Sequence, residues 1–162
     1  MKQLEVKATK TINGNTFHIR AFPAMKATNI FGELVSFIAP IAGTLVPLAK
    51  GLTNSEEANI LDIDAEKAVS VLAGGFSFIS GDKVEKLIEL LLFKHKCISV
   101  ELEGANEAIM LTEELVNELF CGEAVDLYSL AFEVVRANFG NFITRADGQF
   151  GRLLKGLLNK EN

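Results

Sequence analysis

The chain has 162 residues, 49% hydrophobic and 23% charged, a mix that fits one globular domain with its own core and excludes a disordered segment. Its 16 Lys and Arg against 21 Asp and Glu leave a net charge of −5 and a pI near 5.1, which argues against non-specific binding to a phosphate backbone. Two cysteines are too few for a disulfide scaffold, so Cys97 and Cys121 read as reduced, buried thiols of a cytoplasmic protein.

The opening Met1 to Lys7 has no apolar core segment and no cleavage site, so no signal peptide is expected. Leu4, Val6 and Ala8 alternate with Glu5, Lys7 and Thr9, and Phe17, Ile19 and Ala21 alternate with His18 and Arg20. Asn13-Gly14 lies between them, and both residues tolerate the positive φ of a tight turn. The pattern predicts a hairpin of 3–9 with 15–22. Pro23 ends it and suits the start of a helix.

From Ala24 the period becomes helical through Ala27, Ile30, Phe31, Leu34, Val35, Ile38 and Ala42, with a kink or restart at Pro40. Residues 53–63 are polar and read as a loop. Asp64 then caps a helix through Leu72 that Gly74-Gly75 weakens. Asp82 and Glu85 have capping-box spacing and open a helix whose buried stripe is Val84, Leu87, Ile88, Leu91 and Leu92.

Cys97 to Leu102 alternates again and can pair with Ala108 to Leu111 across Glu103 to Asn106, a second hairpin. Thr112, Glu113 and Glu114 mark a helix start, with acids at the positive end of the dipole. Leu115, Leu119 and Phe120 pack inward, and Gly122 ends that turn. A long helix follows with Leu127, Tyr128, Ala131, Val134, Val135, Asn138, Phe139 and Phe142 on one side. Beyond Asp147 comes a last amphipathic piece. The expected class is α+β, mostly helical, with two β-hairpins forming one small antiparallel sheet. Val6, Phe17, Ile19, Val100 and Leu102 are expected to face the helices, and Tyr128, Phe132, Val135 and Phe139 to be buried.

No catalytic set can be assembled. His18 falls in a strand and His95 at a helix end, and the spacing of these two with Cys97 and Cys121 matches no compact zinc pattern. His95 beside Lys94 and Lys96 reads as a favourable charge at a helix C-terminus. Gly75 to Lys83 has the wrong spacing for a phosphate loop, and Asp82, which precedes Lys83, would repel phosphate. Asp62 and Asp64 lack the further oxygen ligands of a Ca²⁺ loop. The phenylalanines fall on core stripes, so base stacking is not expected. No enzyme, metal or cofactor is expected.

Mean hydropathy is +0.26, and the runs Leu34 to Ala49 and Ala68 to Gly81 are uncharged. Both are shorter than the roughly 20 apolar residues of a membrane span, and Pro40 and Pro47 break the first. They read as buried helices. Ile30, Leu34, Phe37, Ile38, Ile41 and Leu45 cover more than one stripe, which predicts a homo-oligomer using residues 30–48. Phe150, Leu153, Leu154, Leu157 and Leu158 gather on one face of a short helix weakened by Gly148, Gly151 and Gly156. Periodicity does not separate a segment that packs on its own domain from one that docks on a partner.

The segment Thr16-Phe17-His18-Ile19-Arg20-Ala21-Phe22-Pro23-Ala24-Met25-Lys26-Ala27, then Ile98-Ser99-Val100-Glu101-Leu102-Glu103-Gly104, Leu119-Phe120-Cys121-Gly122 and Leu130 to Phe142 form, in that order, a pattern that resembles the tail assembly chaperones of tailed phages and prophages of Gram-positive hosts. The resemblance spans roughly Phe17 to Phe150. It implies a non-catalytic protein of the host bacterial cytoplasm, absent from the finished virion. It also implies that the chain binds the aggregation-prone tape measure protein until tube subunits polymerise around it, with a longer frameshifted form in many members. The tail tube protein is a second implied partner; no nucleic acid and no membrane is expected. The expected organisation is one α+β domain over 1–146 and an amphipathic segment over 147–162. The candidate partner-binding residues are Phe31, Leu34, Phe37, Ile38, Ile41, Phe150, Leu153, Leu154, Leu157 and Leu158. Alternatives from other classes are a structural component of a tail or tail-like particle and a membrane-active lysis protein such as a holin.

Overall fold

The computed structural model describes residues 5–39 and 80–146. The expected restart at Pro40, the 53–63 loop, the helix from Asp64, the Gly74-Gly75 break and the amphipathic piece beyond Asp147 lie outside these residues. Within them the order is β1 (Val6–Ile12), β2 (Asn15–Arg20), α1 (Ala24–Ile38), α2 (Gly81–Leu92), β3 (Ile98–Glu101), β4 (Ala108–Met110), α3 (Glu113–Leu119) and α4 (Ala124–Ala146). The strands form one sheet in the order β1-β2-β3-β4, antiparallel throughout. The class is α+β.

The first turn is the tight one its dipeptide demands: Asn13 has φ 48° and Gly14 φ 78°. A two-residue turn makes its flanking residues partners, and Ile12 pairs with Asn15. Strand β1 therefore runs up to the turn at Ile12 rather than ending near residue 9. A register shift between Val6 and Ala8 inserts one extra residue, which moves Val6 to the face opposite Ala8. Val6 consequently pairs with Arg20, is 43% exposed and does not face the helices, contrary to the alternation of the sequence.

The inner face of the sheet carries Phe17 opposite Val100 and Ile19 opposite Ile98, all almost fully enclosed. Each such side chain contributes about 1.5–3 kcal/mol by leaving water. Phe17 stacks on Phe120, just past α3, with ring centroids 5.7 Å apart. Ile30 and Leu34 of α1, Leu90, Leu91 and Leu92 of α2, and Leu130 and Val134 of α4 complete the same contiguous core, with Leu102 partly buried against it. Phe132 and Phe139 are buried, while Tyr128 and Val135 are half-buried.

One polar residue locks the sheet to the long helix. Asn138 Oδ1 accepts from the Phe22 amide at 2.9 Å, and its Nδ2 donates to the carbonyls of Val134 at 3.1 Å and Arg20 at 3.5 Å. The amide thus closes the backbone where β2 ends and α1 has not begun, in a part-buried place where an unpaired N–H is costly. Asn15 does the same for the second hairpin, accepting from Glu103 N at 3.0 Å.

The helix ends divide into expected and corrected ones. Thr112 caps α3 as its sequence suggests, accepting from Leu115 N at 3.3 Å. Gly122 takes φ 80° after that helix. Helix α2, in contrast, starts from Ser80 with no side-chain cap, so Asp82 sits in the first turn and forms no capping box. Cys97 is buried, but Cys121 is exposed, because it sits in the turn leaving α3 beside Gly122.

Candidate functional site

Helix α1 positions the first candidate residues. Its apolar spacing turns Ile30 and Leu34 into the core, leaving 0% and 7% of them exposed. Phe31 is half-buried at the margin, its ring 5.8 Å from that of Phe139, which in turn lies 6.1 Å from Phe22. Phe37 is buried and Ile38 half-buried at the far end of the helix. Glu33 and Lys86 join α1 to α2 across 3.0 Å. Ile41, Phe150, Leu153, Leu154, Leu157 and Leu158 lie outside the described residues. Phe31, Leu34, Phe37 and Ile38 thus come together on one helix. Leu34 and Phe37 are committed to the core, and of these four only Phe31 and Ile38 keep partial exposure.

The outer face of the sheet is polar. His18 Nε2 lies 3.6 Å from Glu101 Oε2 on the neighbouring strand, and Arg20 donates to Ser99 Oγ at 3.4 Å. These pairs tie β2 to β3. Among the described residues, no three His, Cys, Asp or Glu side chains gather to hold a metal ion.

His95 departs from its expected role. Its Nε2 is buried without a hydrogen-bond partner, and its ring meets the edge of Phe22 at 6.2 Å. Desolvation pushes its pKa down, helped by the charges of Lys26 and Lys94 and opposed by Glu89. The neutral ring is favoured here, so His95 is not the helix-end charge that its neighbours suggest. Burial raises the Cys97 thiol pKa, with Arg20 opposing, so this thiol is not poised as a thiolate. Glu114 is lowered by its own backbone N–H and by the Thr112 hydroxyl at the start of α3.

A further set of exposed apolar side chains escaped the sequence reading. Every charged side chain between Cys97 and Val135 is a carboxylate. Within that stretch Ile109 is 46%, Met110 37% and Val125 57% exposed. The signal was present: Ile109 and Met110 are adjacent strand residues pointing to opposite faces, so a one-sided core cannot bury both.

A family model described as phage tail assembly chaperone protein, TAC, matches residues 13–151. The chain belongs to this chaperone family. Neither a curated protein nor a solved structure matches it. In this tail assembly chaperone the match starts at the Asn13-Gly14 turn and takes in every described element from β2 to α4. It includes Phe150 but ends before Leu153, and all of β1 precedes it. Among the described residues no helix is long and apolar enough to cross a membrane.

Proposed function

We propose that this tail assembly chaperone binds the tape measure protein in the host bacterial cytoplasm and keeps it from aggregating until tail tube subunits surround it. The family match is the observation that carries the reading. The apolar rim of α1 at Phe31 and Ile38 supports it, since a long helical client is recognised by apolar surface rather than by a catalytic set. In this reading residues 1–146 form the folded body, and the segment over 147–162 docks on the client through Leu153, Leu154, Leu157 and Leu158. Residues 30–48 contribute to self-association, and the tail tube protein is the second partner. The chemistry is binding alone, without a cofactor.

The test is co-expression of the full chain with the tape measure protein, followed by client solubility and pull-down. Leu154→Asp with Leu157→Asp should leave the body folded and lower the soluble client. If the double variant loses the body's cooperative unfolding, the segment is part of the core. If client solubility survives in full, the binding surface is elsewhere, and Ile38→Asp tests the α1 rim. A client that is equally soluble without the chaperone, or the chain found as a stoichiometric component of purified particles, overturns the reading in favour of a structural tail protein.

A further inference from the structure

Among the described residues, no further strand pairs with either edge of the sheet. Thr9 and Thr11 of β1 are exposed, as are all three residues of β4. The ladder fixes which backbone groups point outward. Leu111 N–H donates to Ile98 O at 3.0 Å, in register with the β3–β4 pairing. By the alternation of an antiparallel pair, Ile109 and Leu111 then turn their backbone groups toward β3, and Ala108 and Met110 turn theirs away. On the opposite edge, Ile12 faces Asn15 across the two-residue turn. The same alternation directs Lys10 and Ala8 toward β2 and leaves the backbone of Thr9 and Thr11 facing out. Such rows of unpaired N–H and C=O groups are templates for another strand.

Charge distinguishes the two edges. Lys7 and Lys10 lie on β1, Lys7 being 3.9 Å from Glu5 just before the strand, which leaves β1 an excess of one positive charge, whereas β4 is flanked by Glu107 and Glu113. Pairing β1 with β1, or β4 with β4, sets like charges against each other; pairing β1 with β4 sets opposite charges together. Direction agrees with charge. Four strands that alternate in direction leave β1 and β4 antiparallel, so a β1 laid on the β4 of another copy continues the alternation. The apolar side chain of Ile109 is 46% exposed on this edge and gains cover from the added strand.

We infer that copies of this chain join head to tail, the β1 edge of one pairing with the β4 edge of the next. This rests on the self-association in the proposed function but places the contact on the sheet edges instead of on residues 30–48. Such a contact uses two different surfaces, so it does not stop at two copies but extends to a ring or a filament.

The decisive variant is Met110→Pro in the full chain. Its missing N–H is one that faces away from β3, so the native ladder keeps its bonds while an added strand loses one. Sedimentation velocity from low to high micromolar concentration should show wild type growing past a dimer, less so at high salt. Met110→Pro should weaken association by about tenfold or more, roughly 1.4 kcal/mol, with an unchanged thermal midpoint. Lys10→Glu and Glu107→Lys should each weaken it, and an equimolar mixture of the two should recover it, which also serves if the proline variant fails to fold. A wild type that remains monomeric overturns both this inference and self-association itself. A closed dimer, or a folded Met110→Pro that assembles as wild type does, overturns only the edge contact and returns it to the helix surface.

Discussion

The two hairpins use similar residues and end in different states. In the first, β2 is buried at Phe17 and Ile19, and its turn is fastened to the rest of the molecule: Asn13 donates to Asp126 at 2.8 Å and Asn15 accepts from Glu103. In the second, β3 is buried at every residue from Ile98 to Val100, while its partner β4 is exposed at every residue. Strand β3 is central and shielded on both sides by neighbours; β4 has one strand neighbour among the described residues. Burial in this sheet thus follows position in the strand order more than strand composition, since Ala108-Ile109-Met110 is as apolar as Ile98-Ser99-Val100.

The largest contrast to break is between Phe17 and Ile109. Phe17→Ala should cost about 3–5 kcal/mol in chemical denaturation, because the cavity opens under Phe120 in a packed core. At a concentration low enough to keep the chain monomeric, Ile109→Ala should stay within about 0.5 kcal/mol, as for other exposed positions. Equal losses would mean that β4 is covered in solution. Next comes Asn138→Ala, which strips the Phe22 amide of its acceptor and should cost about 1–3 kcal/mol.

The turns sharpen the comparison further. Gly14 and Gly104 have nearly the same φ, 78° and 77°, so alanine at either meets the same left-handed strain of about 1–2 kcal/mol. A Cβ at Gly14 would also stand 2.8 Å from Glu103 Cδ, while at Gly104 it meets nothing. Glu103 is exposed and flexible, so Gly14→Ala should exceed Gly104→Ala only slightly, as read from paired urea midpoints. The smallest effect belongs to His95, just before β3. Its folded pKa is lowered, so the unfolded chain binds the proton more readily and stability falls as pH drops below the ordinary value of about 6.5. His95→Phe should flatten this part of the pH–stability curve, and an unchanged slope would assign it to other groups.

The hairpins, the Asn13-Gly14 turn, the Thr112 cap and the long helix were legible because each depends on local chemistry or on a period within one element. The errors came where neighbours decide. Val6 left its expected face because a bulge breaks the two-residue alternation, and no residue type announces that bulge. Leu90 and Leu130 escaped the apolar stripes although both are buried, because residues 90–92 and 129–134 are enclosed over consecutive positions and not along one face. Cys121 followed the turn outward instead of its apolar neighbours. Of the candidate binding residues, periodicity grouped Phe31, Leu34, Phe37 and Ile38 on α1 but did not separate Leu34, spent on packing, from the more accessible Phe31 and Ile38.

The β2–β3 pairing has a consequence for how the molecule is made. Arg20 bonds to Cys97 and Ile19 lies opposite Ile98, so the centre of the sheet joins parts of the chain that leave the ribosome far apart in time. The first hairpin can close within microseconds on its own, yet Phe17 and Ile19 lack their apolar partners Val100 and Ile98 until β3 has been synthesised. Folding must therefore wait on a long-range closure, which makes it slower than the helical content suggests. This tail assembly chaperone thus spends its own synthesis with half a sheet exposed.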